Sequence, residues 1–354
     1  MRITAEKLQS FTTDLFVAAG ADRTDSTQTA EHLVLANLKG HDSHGVVMAP
    51  SYVENIKRGF LNPQGHIEIV KDAGGVLLID GCAGFGQVVG REATAVGIER
   101  ARENGIACVG LRNAHHLGRI GTYGEMCAEA GMVSVHFVNV VGHEPLVAPY
   151  NGAERRLQTN PFCAVAPREN APPIVLDMAT SFVAFGKVKV AYNAGNLIRD
   201  GVLVDHDGLP TNDPKVMFSQ PGGAVQPFGL YKGYGLALMC ELFGGALVGE
   251  WTMQPEHERS GTVINNMLMM VLNPDVFGGT ERFQHEITAM VDYLHDTQPA
   301  KGADRVRIPG EPELESMAER TVEGIPIDSQ TWSELLDAAR AVGMSDSAIA
   351  KFSG

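Results

Sequence analysis

The chain has 354 residues, 44% of them apolar and 20% charged, with 42 acidic side chains against 28 basic ones and a formal charge of −14. That composition supports a sizeable core and excludes a disordered chain. Tracking phosphates requires clustered Lys and Arg, so nucleic-acid binding is excluded as the main role. No apolar run approaches ~20 residues, so no membrane span is expected.

The N-terminus, MRITAEKLQSFTTDLF, lacks the apolar centre of a secretory signal. The five cysteines, Cys82, Cys108, Cys127, Cys163 and Cys240, form no C-x-x-C pair and read as reduced, packed thiols. The expected address is the cytoplasm.

Leu8, Phe11, Leu15 and Phe16 recur at helical spacing, and a second helix is predicted from Ser26 to Leu38, stopped by Gly40. Tyr52 to Lys57 predicts a third, closed by Gly59 and Pro63. Strands and helices then alternate: Val76–Ile79, a helix from Val88 to Asn104, Ala107–Leu111, a helix from Gly121 to Ala130, and Val133–Val138. Ala164–Ala166 and Ile174–Asp177 are strands joined by a Pro-rich turn. A Gly-rich helix, Gly233–Val248, leads to the strand Asn266–Leu272. Glu281–Asp296 and Gln330–Val342 are amphipathic helices separated by the polar stretch 297–329. Helical ends around a mixed α/β centre are the expected architecture.

Gly84-Phe85-Gly86 with Gly90 lies between a strand and a helix and imitates a dinucleotide fingerprint. The fingerprint also needs an acid ending the next strand, and that strand ends Gly110-Leu111-Arg112-Asn113. A Gly-rich turn packed against a helix is the better reading.

Two clusters could carry chemistry. His41-Asp42-Ser43-His44-Gly45 crowds two imidazoles, a carboxylate and a hydroxyl into a short turn, suited to acid–base work or simply a capped helix end. Asn113-Ala114-His115-His116-Leu117-Gly118-Arg119-Ile120-Gly121 sits where a strand gives way to a helix. There the histidines can reach a substrate, Arg119 can meet a phosphate or carboxylate, and backbone N–H groups can face an anion. Surface histidines and an exposed Arg are the alternative. Zinc finds no H-E-x-x-H, and a Ser hydrolase finds no G-x-S-x-G, so no metal is expected. Gln158 to Pro161, Asp177 to Ser181 and Tyr231 to Gly235 are each, alone, ordinary turns or caps.

Taken in order, Asp42 to Gly45, Asn113 to Gly121, Thr159-Asn160-Pro161, Asp177 to Ser181, Lys232 to Leu236 and Pro309-Gly310-Glu311 resemble the type-2 malate/L-lactate dehydrogenase family. The strings GHDSHG, SVHF, TNPFC and MCE are most similar to its hydroxycarboxylate dehydrogenase branch. The resemblance implies a non-Rossmann mixed α/β sheet, a helical domain built from both chain ends, and a homodimer. The expected division is a helical domain of 1–70 plus 297–354, an α/β segment of 71–125 with the catalytic residues, and a cofactor-binding part of 126–296.

By motif, the resemblance makes His116 the catalytic acid–base group with Ser43 and His44 beside it, His44 also meeting the cofactor. It assigns Gly118, Arg119, Ile120, Val175, Leu176, Asp177, Met178, Ala179, Tyr231, Lys232, Asn265, Gly310, Glu311, Pro312 and Glu313 to the cofactor. Met48, Tyr52, Thr159 and Asn160 are the expected substrate contacts. The implied cofactor is NAD, with NADP open, and the implied partner a small 2-oxo or 2-hydroxy acid. Many relatives carry Arg four residues after the motif His; Met48 stands there in this chain. A thioether cannot pair with a second carboxylate, so bulky or aromatic acids such as hydroxyphenylpyruvate are expected over malate. A malate or lactate dehydrogenase, a cyclic-imine reductase of the same family and a catalytically silent nucleotide-binding protein are the alternatives.

Overall fold

The structure is a computed structural model that describes residues 1–352. Seven strands form one sheet: β1 (Glu68–Ala73), β2 (Val76–Asp80), β3 (Ile106–His115), β4 (Val133–Val141), β5 (Phe162–Ala166), β6 (Ile174–Met178) and β7 (Ile264–Leu272). Their spatial order is β1-β2-β3-β7-β4-β5-β6. Only β2 and β3 pair in parallel; every other neighbouring pair is antiparallel. A Rossmann sheet is essentially parallel, so this mixed sheet is a different fold.

The first helices are α1 (Ala5–Ala18), α2 (Arg23–Leu38) and α3 (Ala49–Lys57). α2 starts earlier than its apolar spacing suggests, because the Asp22 carboxylate accepts the Asp25 N–H at 2.9 Å and caps the first turn. α4 (Gly86–Asn104) crosses from β2 to β3 and ends at Gly105, whose φ of 80° suits glycine. α5 (Gly121–Glu129) follows β3, and α6 (Phe185–Asn193) and α7 (Tyr231–Cys240) flank a small sheet made from Leu203–Val204, Pro210–Thr211 and Ala224–Val225. α8 (Thr280–His295), α9 (Glu311–Glu323) and α10 (Ser329–Ala341) form the tail before a last short helix, Asp346–Ala350.

The chain ends meet. Arg2–Ile3 pairs antiparallel with Ile325–Pro326. Leu8, Phe11, Phe16, Leu33 and Tyr52 share a buried cluster with Ile325, Leu335 and Ala339. A second cluster, including Leu77, Ile79, Val109, Leu111, Met267 and Met269, packs α4 and α5 against the sheet.

Several expectations change. The stretch 297–329 contains α9, begun at Gly310 (φ 100°) with Pro312 in its first turn, a start that hydrophobic spacing does not announce. α6 and the small sheet were also unread from the sequence. α7 is regular only to Cys240 and continues through a π-helical turn, Glu241–Gly245, where Gly244 and Gly245 press against Asn139. The boundary drawn between 125 and 126 runs through the sheet, since β2 and β3 lie on one side of it and β4 to β7 on the other. Among the described residues, no helix is long and apolar enough to cross a membrane.

Candidate active site

β3 ends at His115, and residues 116–121 turn over the start of β7. Three elements fix this turn. Asn265 Oδ1, on β7, accepts the Leu117 N–H at 2.9 Å, and its Nδ2 donates to the Asn139 carbonyl at 3.1 Å. His32 Nε2, on α2, accepts the Arg119 N–H at 3.0 Å. Asp177 Oδ2, on β6, accepts the Gly121 N–H at 2.7 Å. A register shift between Asn265 and Met267 marks the start of β7 at this place, as bulges often do beside active sites. Among the described residues, the Gly118 and Ile120 N–H groups donate to nothing in the chain.

The 41–45 turn comes to meet this segment. Asn37 holds it by donating to Asp42 (2.7 Å) and accepting from the Val46 N–H (2.9 Å). Arg320 of α9 grips the Asp42 carboxylate at 2.7 and 3.1 Å, and Glu313 lies 3.3 Å from His41. Gly45 is required: a Cβ there would fall 2.2 Å from Asn37 Oδ1. The result brings His44 and His116 face to face, with ring centroids 5.6 Å apart and planes at 21°. Ser43 Oγ lies 3.1 Å from His44 Nδ1.

Both imidazoles are held toward the neutral form. Burial pushes His116 well below the usual histidine range, with His44, His115, His32 and His143 adding to the effect. Burial also lowers His44, and Asp177 partly opposes it. Two half-buried neutral imidazoles beside a hydroxyl suit proton exchange with a small bound molecule.

Not every expected residue is free to act. His115 is buried with Nε2 3.0 Å from Asn55 Nδ2, so only His116 of the pair opens to the site. The Arg119 guanidinium is 2% exposed and binds Glu125 bidentately at 2.9 Å on both arms, with Asp177 at 3.8 Å. Its side chain is therefore unavailable to a phosphate, and the segment offers backbone donors instead. Asn160 is fully buried: its Oδ1 accepts from Val140 and its Nδ2 donates to Glu241 at 2.6 Å, which leaves nothing for a substrate. Tyr52 is likewise enclosed, its hydroxyl 2.6 Å from His116 Nδ1, so it serves the histidine rather than the substrate. Thr159 uses its carbonyl to hold Thr180. Met48 packs partly buried against the cluster of the chain ends.

The glycines of the false fingerprint have a packing role. A Cβ on Gly86 would fall 2.2 Å from the His116 carbonyl oxygen, and one on Gly90 would enter the Tyr123 ring. They let α4 approach the 116–121 turn. His32, Gln87, Glu125 and Asn37 were missed, because each meets its partner only through the tertiary fold.

A cleft of about 370 Å³ lies behind the Arg119–Glu125 pair, lined by Lys39, Glu125 and Arg168 among others and by neither His44 nor His116. Pro167, Pro172, Pro173 and Val175 give it apolar walls, while Gly310 and Glu313 begin the opposite side. Glu311 is engaged with His295 (3.0 Å) and the Ile308 N–H (3.1 Å). Tyr231 and Lys232 are exposed at the start of α7 and touch neither histidine within this chain. Apolar proline walls with Lys39, Arg168 and Glu313 beside them suit a flat, charged ligand such as a dinucleotide, and the free Gly118 and Ile120 N–H groups lie outside this lining.

The mixed sheet sets the chain apart from Rossmann dehydrogenases, and the class of protein is that of the malate/L-lactate dehydrogenases. The profile of the malate/L-lactate dehydrogenases matches residues 3–336, and the chain belongs to that family. It is 43% identical to hydroxycarboxylate dehydrogenase B of Escherichia coli O157:H7 across 99% of this chain and 97% of that one. It is 39% identical to an L-lactate dehydrogenase of Cupriavidus necator, across 97% and 99%. A solved E. coli chain of the malate/lactate dehydrogenase type superposes with a TM-score of 0.95 at 42% identity, covering 99% and 98%. The family implies a nicotinamide cofactor and a small hydroxy- or oxo-acid substrate.

Proposed function

We propose that this enzyme interconverts bulky or aromatic 2-oxo acids, of the hydroxyphenylpyruvate type, with their 2-hydroxy acids, using NAD, as a homodimer. The observation that carries the reading is the 5.6 Å approach of His44 and His116; the substrate preference rests on Met48 standing where many relatives carry Arg. When bound, the nicotinamide supplies or accepts the hydride. His44, the Gly118 to Ile120 backbone, Val175 to Ala179 and Gly310 to Glu313 would hold that cofactor.

The protein's part is alignment and proton handling. His116 gives a proton to the alkoxide that forms at C2 during reduction and takes it back during oxidation. Ser43 orients His44 through its Nδ1, so the second imidazole can polarise the carbonyl oxygen. Glu313 lines the cleft, and its carboxylate would repel a ribose 2′-phosphate, which supports NAD over NADP.

A panel of 2-oxo acids followed at the nicotinamide absorbance, with NADH and NADPH, tests substrate and cofactor together. Aromatic acids with NADH should give the highest kcat/KM; a strong preference for oxaloacetate refutes the substrate reading. His116→Ala should lower turnover at least ~100-fold while NADH still binds. Near-normal turnover overturns the role of His116.

A further inference from the structure

We propose that Gln87 and Tyr52 are positioning residues that hold His116 as the neutral tautomer with its proton on Nε2. The inference rests on the reading of His116 as the proton-handling group, and it follows from the direction of three hydrogen bonds. Gln87 Nε2 lies 3.1 Å from the His116 carbonyl oxygen, which can only accept, so the amide orientation is fixed. The same nitrogen donates its other hydrogen to Tyr52 Oη at 2.8 Å. Tyr52 therefore points its own hydrogen at the remaining partner, His116 Nδ1, 2.6 Å away. A nitrogen that accepts carries no proton. The single proton of neutral His116 is then on Nε2.

The surroundings leave the relay no easy alternative. Tyr52 and Gln87 are both fully buried, and the Tyr52 ring meets His115 edge-on at 5.0 Å. The ionisable groups that act on His116 are the Tyr52 phenol and the imidazoles of His44, His115, His32 and His143. None supplies a negative charge that would favour an imidazolium. Burial also pushes the Tyr52 hydroxyl above the ordinary phenol range, so it stays protonated and remains a donor at rest.

In reduction this chain of groups gives up one proton per turnover and takes one back from solvent. The His116 Nε2–H bond breaks as the product O–H bond forms. The Tyr52 proton passes to Nδ1, so the ring stays neutral. The electron pair left on the Tyr52 oxygen faces the Gln87 N–H until a solvent proton replaces the one lost. Tyr52 and Gln87 thus act on the substrate only through His116.

The test is ¹⁵N NMR of the full-length protein labelled at the histidine ring nitrogens, with the His116 signals assigned by their loss in His116→Gln. Wild type should show the neutral Nε2–H pattern across about pH 5.5 to 8. Tyr52→Phe and Gln87→Met should each give mixed tautomers and move the acid limb of kcat/KM upward. Both should lower kcat roughly 10–100-fold with little change in KM. If Tyr52→Phe does not fold, Gln87→Met carries the same test. An Nδ1–H or imidazolium pattern in wild type at pH 7 overturns the proposal, as do variants that leave the tautomer unchanged. The two readings fail separately: His116→Gln with normal turnover removes the catalytic role, whatever the tautomer is.

Discussion

The turn 116–121 joins two unlike regions of the molecule. On one side, His116, Tyr52, Gln87, His44 and Ser43 are joined by hydrogen bonds and ring contacts between uncharged groups. On the other, Arg119, Glu125, Lys39 and Asp177 form a buried ion network, with Lys39 2.6 Å and Arg119 2.9 Å from Glu125. Burial acts oppositely on the two. It makes the imidazoles neutral and therefore exchangeable, whereas it makes the ion network rigid, because each charge would be costly without its partner. In the proposed mechanism the neutral side handles protons, and the charged side holds the backbone that a cofactor would meet.

The comparison can be broken most directly at Glu125. Glu125→Ala leaves Arg119 and Lys39 buried without their carboxylate and should cost about 3–5 kcal/mol, read from chemical denaturation. A loss under 1 kcal/mol would mean the network is not structural.

Acid should separate the two regions. His115 and His136 are pushed down to about 3 by burial. An unfolded histidine protonates near 6.5 while these do not, so the stability they contribute is complete above that pH. It declines as pH falls from 6.5 toward 3, by about 1.4 kcal/mol per pH unit for His115 alone. Burial pushes Glu125 upward, but Arg119 and Lys39 overcome this and hold it below the ordinary carboxylate range. Its contribution is present above about pH 4.5 and lost only below that. Hydrogen exchange at pH 5.5 should therefore show loosening around His115 before any around Glu125; simultaneous loosening would contradict the distinction.

Met48→Arg sharpens the substrate side. A new guanidinium should shift the kcat/KM ratio toward oxaloacetate and away from phenylpyruvate by roughly 10-fold or more, the size of one charged hydrogen bond. An unchanged ratio would place specificity elsewhere. The smallest effect is expected at Asp42→Asn. Its pair with Arg320 is half exposed on the Asp side and should contribute within ~1 kcal/mol to stability.

Much of the fold was legible. Apolar spacing gave α1, α4, α10 and six of the seven strands, because each buries one face and so writes its period into the chain, whereas β1 is exposed along its whole length and was not legible. α9 and α6 were not, since neither has more than one buried residue to set a rhythm. His44 and His116 stood out because histidines beside glycines at element ends are chemically conspicuous.

What residue order alone determined is local: which turns carry imidazoles, which strands are buried, and that no acid follows the glycine-rich turn to make it a Rossmann site. Tertiary structure alone decided the pairings. Arg119 met Glu125 instead of a phosphate, Asn160 met Glu241 instead of a substrate, and Tyr52 met His116 from 64 positions away. The reason is physical: a buried polar group must find a partner wherever the fold supplies one, and sequence distance says nothing about where that is.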